Sequence, residues 1–88
     1  MKRLKFSPGF QKKLAAIHRR DKKLSLKIQK QLKIFLADPR HPSLRLHKLK
    51  GELKNVWSVS VDRGFRLLFI DDAEYYFFDL GEHDEIYQ

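Results

Sequence analysis

The hydrophobic period of this chain changes once, near Pro39 and Pro42, and that change dictates the fold class. Before the prolines, apolar residues recur at helical spacing: Phe10, Leu14 and Ile17, then Leu24, Ile28, Leu32, Phe35 and Leu36. Such stripes put one apolar face on each of two α-helices. After the prolines a period of two takes over. Trp57, Val59 and Val61 fall on one side of a strand, and Ser58 and Ser60 fall on the other. Phe65 to Ile70 and Tyr75 to Leu80 are nearly continuous apolar runs, as strands buried on both faces are.

The punctuation agrees with this division. Lys2 to Phe6 alternates basic and apolar residues and reads as a short first strand. Ser7-Pro8 is a helix start, because serine caps free amides and proline suits the first helical position. Asp21 is placed to cap the second helix, and Pro39 and Pro42 end it. Leu44, Leu46 and Leu49 flank a strand carrying His47 and Lys48. Lys50-Gly51-Glu52, Asp62-Arg63-Gly64 and Asp71-Asp72 read as turns, and Gly81 closes the last strand. The expected order is β-α-α-β-β-β-β. This is an α+β domain spanning residues 1–88, a helical hairpin packed on a twisted antiparallel sheet.

Composition narrows the function. The chain has 88 residues and no cysteine, which excludes a thiolate nucleophile, an iron–sulfur cluster and a cysteine zinc site. No apolar run approaches the roughly 18–20 residues a membrane span needs, and no signal-peptide core follows Met1-Lys2-Arg3. A cytoplasmic protein with no membrane partner is expected. The net charge of +8 is unevenly spread: residues 1–50 hold 16 basic and 2 acidic side chains, and residues 51–88 hold 3 and 9. A block this basic attracts phosphates or an acidic protein. Lys22, Lys23, Lys27, Lys30 and Lys33 share the exposed side of the second helix.

Arg66 breaks the pattern. It sits inside the run Phe65-Arg66-Leu67-Leu68-Phe69, on the strand face opposite Phe65, Leu67 and Phe69. Its charge must be met by a ligand or water on the side the helices leave open, or by an internal ion pair with Asp62, Asp79 or Glu82. His47-Lys48-Leu49-Lys50 sets an imidazole and two lysines at the entrance to the sheet. His83 follows the last strand in a polar segment, and an imidazole can accept and donate a proton. His18, His41, His47 and His83 lack metal-ligand spacing, so no metal is expected. There is no Gly-rich phosphate loop.

Taken in order, Leu46-His47-Lys48-Leu49-Lys50-Gly51, Trp57-Ser58-Val59, Gly64-Phe65-Arg66-Leu67-Leu68-Phe69 and Asp79-Leu80-Gly81-Glu82-His83-Asp84-Glu85-Ile86-Tyr87 resemble the RelE/ParE toxin superfamily. The likeness is nearest to its RelE/StbE and HigB-like branch and covers essentially the whole chain. It implies a RelE-like, microbial-RNase-like fold and a ribosome-dependent endoribonuclease that cuts mRNA with no metal or cofactor. It also implies a cognate acidic antitoxin, and access to operator DNA only through that antitoxin.

Residue by residue, the resemblance makes Arg66 the arginine that steadies the scissile phosphate. It makes His83 a phosphate-contacting residue or general acid, and Tyr87 a base-stacking or proton-transfer residue. His47 aligns with a histidine used by the YafQ-like branch. Lys48 and Lys50 match basic residues that hold flanking phosphates, and Lys23, Lys27 and Lys30 would face ribosomal RNA. Two departures stand out. RelE proper has lysines where this chain has Ser58 and Ser60, and the YafQ-like branch has an arginine where this chain has Asp79. The rival readings are a ParE-like gyrase inhibitor that cuts no RNA, and an inactive relative acting as a binding module.

Overall fold

The computed structural model describes residues 2–49 and 55–83. β1 (Leu4–Phe6) leads into α1 (Pro8–Arg20), where the Ser7 hydroxyl accepts from the Phe10 N–H at 3.0 Å. α2 (Lys22–Ala37) follows at once. Asp21 serves both helices: its N–H donates to the Ile17 carbonyl, and its carboxylate accepts from the Leu24 N–H at 3.1 Å. A 3₁₀ turn, Pro42–Leu44, precedes β2 (His47–Lys48), β3 (Val56–Ser60), β4 (Phe65–Asp71) and β5 (Tyr75–Glu82). The order is the one expected, with the 3₁₀ turn added.

The five strands form one sheet in the order β1-β5-β4-β3-β2. β2 to β5 pair antiparallel, as expected. β1 instead pairs parallel to β5, with Leu4, Lys5 and Phe6 opposite Tyr75, Tyr76 and Phe77, so the sheet is mixed rather than wholly antiparallel. The helical hairpin explains this. It carries the chain from β1 across one face of the sheet, and the later strands return so that the last of them lies beside the first. A register shift at Leu68/Phe69 leaves Phe78 unpaired in the β4–β5 ladder, as a β-bulge does.

Both helices pack on the face that carries Val59, Phe65, Leu67, Phe69, Phe77 and Leu80, with Phe10, Ile17, Ile28 and Phe35 as their contribution to the core. Phe35 is the hub. Its ring meets Phe69, Tyr75 and Phe77 edge-on at 5.1, 4.8 and 5.4 Å between centroids, the arrangement aromatic quadrupoles favour. Two expectations need correction. Leu36 is 51% exposed rather than in the core, because Phe35 occupies the helix position that faces the sheet. Gly81 does not close β5, because β4 offers Arg66 and Phe65 as partners to Gly81 and Glu82 and the ladder continues. Among the described residues no helix is long and apolar enough to cross a membrane.

Candidate nucleic-acid-binding site

Strand register sets the polar residues of the second sheet face in rows. His47 pairs with Ser58, which pairs with Leu68 and through it with Asp79. The next row is Ser60, Arg66 and Gly81. Beyond it the His83 N–H donates to the Gly64 carbonyl at 2.7 Å, which anchors His83 beside the β3–β4 turn. Arg66 therefore lies in the row between those of the two histidines. Successive rows are two residues apart, about 7 Å along the strands. Gly81 leaves no side chain beside the guanidinium.

Arg66 opens into a cleft of about 420 Å³ lined by Ser43, Arg45, Ser60, Val61, Asp62, Arg63 and Arg66. Three guanidiniums share it. Among the described residues none of the three makes an ion pair. The carboxylates considered as partners for Arg66 are engaged elsewhere or set apart. Asp62 accepts from the Gly64 and Phe65 N–H groups and faces Lys27 at 3.6 Å. Asp79 pairs with Lys13 at 2.5 Å. Glu82 stands opposite Phe65 in the ladder, one residue out of phase with Arg66. Among the described residues the internal ion pair is thus not formed, and Arg66 faces a cleft. Among the described residues its buried Nε finds no hydrogen-bond partner, and neither does the buried Ser58 hydroxyl. Buried polar atoms without a partner are rare in native folds, and each calls for a water, an ion or a functional role.

Local structure holds the cleft in shape. His41 caps the 3₁₀ turn by accepting from the Ser43 N–H at 3.1 Å. The chain then leaves through Arg45, whose backbone is left-handed at φ 45°, ψ 50°. That conformation costs a non-glycine residue roughly 1–2 kcal/mol. Buried Gln31 of α2 reaches both walls, donating to the carbonyls of Ser43 and Ser60.

No protein-family model and no curated protein matches this chain. Solved structures do. YafQ from E. coli superposes with a TM-score of 0.80 over 100% of both chains at 15% identity. A YoeB/ParE toxin from Agrobacterium tumefaciens gives 0.77 over 94% of this chain and 99% of that one, at 17% identity. The YoeB–YefM complex from Staphylococcus aureus gives 0.69 over 94% and 98%, at 24% identity. The chain has the fold of the YafQ and YoeB/ParE toxins. This is the RelE-like fold that the ordered sequence motifs imply.

On this toxin fold the expected site residues separate into groups. His47 and Arg66 lie in successive rows of the sheet, and His83 follows just past the end of β5. Lys27 reaches the cleft rim through Asp62, and exposed Lys23 and Lys30, one helical turn to either side, continue the basic path. Lys48 goes the other way. It pairs with Trp57 and sets its ammonium 5.9 Å from that ring, because adjacent strand residues face opposite sides. Lys50 and Tyr87 lie outside the described residues. Sequence reasoning missed Arg45 and Arg63. Among the described residues no group of three or more metal-ligating side chains converges.

Proposed function

We propose that this chain is the toxin of a type II toxin–antitoxin pair, a cytoplasmic endoribonuclease that cleaves mRNA on the ribosome and so stops translation. The observation that carries this reading is Arg66, without an ion pair among the described residues, in a polar, three-arginine cleft between the rows of two histidines. Cleavage by 2′-OH attack forms a bond from that oxygen to phosphorus and breaks the bond to the 5′-oxygen. A base takes the 2′ proton, positive charge stabilises the phosphorane, and an acid protonates the departing oxygen. Arg66 supplies the charge. His47 and His83, on opposite sides of Arg66, supply the base and the acid. Tyr87, by its family resemblance, stacks on the base or assists the proton transfer. These groups complete the reaction without a metal or cofactor.

DinJ is seen in complex with YafQ, and YefM with YoeB. By analogy this chain has a cognate antitoxin. Its chemistry is acidic, because neither helix carries an acidic residue and residues 1–50 are strongly basic. Operator DNA is reached through that antitoxin.

Primer extension on a reporter mRNA in a translating extract tests the reading. Wild-type protein should produce cuts inside codons only when ribosomes are present, and Arg66→Ala should reduce them by about 10²–10³-fold, the usual loss when a group that stabilises transition-state charge is removed. Undiminished cutting by Arg66→Ala removes Arg66 from the chemistry. Arrest without cuts, with gyrase supercoiling blocked, replaces the ribonuclease by a gyrase inhibitor.

A further inference from the structure

We propose that Arg45 and Arg63 form a second phosphate subsite beside Arg66, which grips the sugar–phosphate backbone of single-stranded nucleic acid and sets its register on the sheet. The inference deepens the ribonuclease reading and rests on it for the identity of the strand, but the subsite has its own observations. All three guanidiniums line one cleft with Ser43 and Ser60, whose hydroxyls are taken up by His41 and by the Asp62 carbonyl. Each guanidinium is planar and offers five donors that fit phosphate oxygens in pairs. One such group suffices for the scissile phosphate. Three in one cleft leave two over for a neighbouring phosphate.

The lining also says what the subsite ignores. Among the described residues no aromatic side chain borders the cleft, so it lacks the ring platforms on which single-strand binders stack successive bases. Phosphate contacts position a strand, whereas base contacts specify it. The subsite therefore places the strand without selecting its sequence. The one carboxylate in the lining, Asp62, is turned toward backbone amides and Lys27, so it does not neutralise the arginines.

Arg45 adds a second observation. It keeps a left-handed backbone that glycine would adopt without strain. A left-handed residue at the end of a helical turn is a common cap, and here it sets a charged side chain on the cleft wall, which fits a functional role. Arg45→Gly should therefore separate two readouts, since thermal stability holds or rises while strand binding weakens.

The experiment is a salt titration of binding to a fluorescent single-stranded RNA and to a DNA of the same length, with wild type, Arg45→Gly and Arg45→Ala/Arg63→Ala. The slope of log affinity against log salt should fall by about 0.7 for each phosphate no longer held, equally for RNA and DNA. Folding of each variant is checked by its thermal transition. Unchanged slopes with folded variants overturn the subsite, even where mRNA cleavage by wild type is intact. Reduced slopes in a protein that cuts no mRNA keep the subsite and sink only the ribonuclease. Poly-glutamate that competes as well as RNA, and loses the same affinity in the double variant, overturns it in favour of an acidic protein ligand.

Discussion

The side-chain amide of Gln31 donates to the Ser60 carbonyl at 2.8 Å, and the same nitrogen lies 3.2 Å from the Ser43 carbonyl. One buried side chain of α2 thus ties the 3₁₀ turn to the end of β3, the two segments that bring Arg45 and Arg63 to one cleft. A glutamate at this position would set carboxylate oxygens against two carbonyl oxygens. Gln31→Glu should lower the unfolding free energy by roughly 2–4 kcal/mol, from two unpaired acceptors and a buried charge. Urea denaturation reads the effect, and a wild-type midpoint would remove the clamp.

Asp21 closes one helix and opens the next. Asp21→Ala removes only the side-chain cap and should cost about 1 kcal/mol. Asp21→Asn keeps the accepting oxygen and should recover most of that loss. Equal destabilisation by the two substitutions would show that the carboxylate charge, not the cap, matters here.

Phe35 is 1% exposed and touches three aromatic rings from β4 and β5. Truncating such a residue leaves a cavity that its neighbours fill only in part. Phe35→Ala should cost about 3–5 kcal/mol, a large share of the stability of a domain this size. Phe35→Leu should cost less. Thermal unfolding monitored by near-ultraviolet circular dichroism distinguishes them, and similar midpoints for both would mean the site collapses freely.

Exposed Lys23, Lys27 and Lys30 follow one side of α2 toward the cleft. Replacing all three with alanine should leave stability nearly unchanged, since surface substitutions cost within about 0.5 kcal/mol. Ribosome binding should weaken, and its salt dependence should become shallower. Pelleting with ribosomes over a salt series measures both. An unaltered salt dependence assigns ribosome binding to another surface.

Much of this architecture is local chemistry and can be read from the chain. Ser7 and Asp21 cap the helices that their positions announce, and the apolar stripes point at the sheet. Arg66 stands out because a cation in a central strand demands an explanation, and the cleft provides one. The partner of β1 was not legible, because a three-residue strand carries too little pattern to choose a parallel neighbour so distant in sequence. Arg45 was hidden among many basic residues, since only the 3₁₀ turn and its left-handed exit bring it to the cleft. Gln31 did leave a signal: it lies three residues after Ile28 and four before Phe35, a polar residue on the apolar stripe. Lys48 turns away from His47 because its phase follows from pairing with Trp57.

The position of β5 between β1 and β4 has a consequence for synthesis. Translation delivers both helices and the other four strands before β5 exists, and until then β1 has no strand beside it and α1 has α2 but not the strand it packs on. Ser7 waits for Phe78, 71 residues later, as the acceptor for its hydroxyl. A nascent chain therefore cannot close its sheet before residues 75–82 are made. A protein whose proposed target is its own birthplace gains its central pairing last, by the order in which its strands are made.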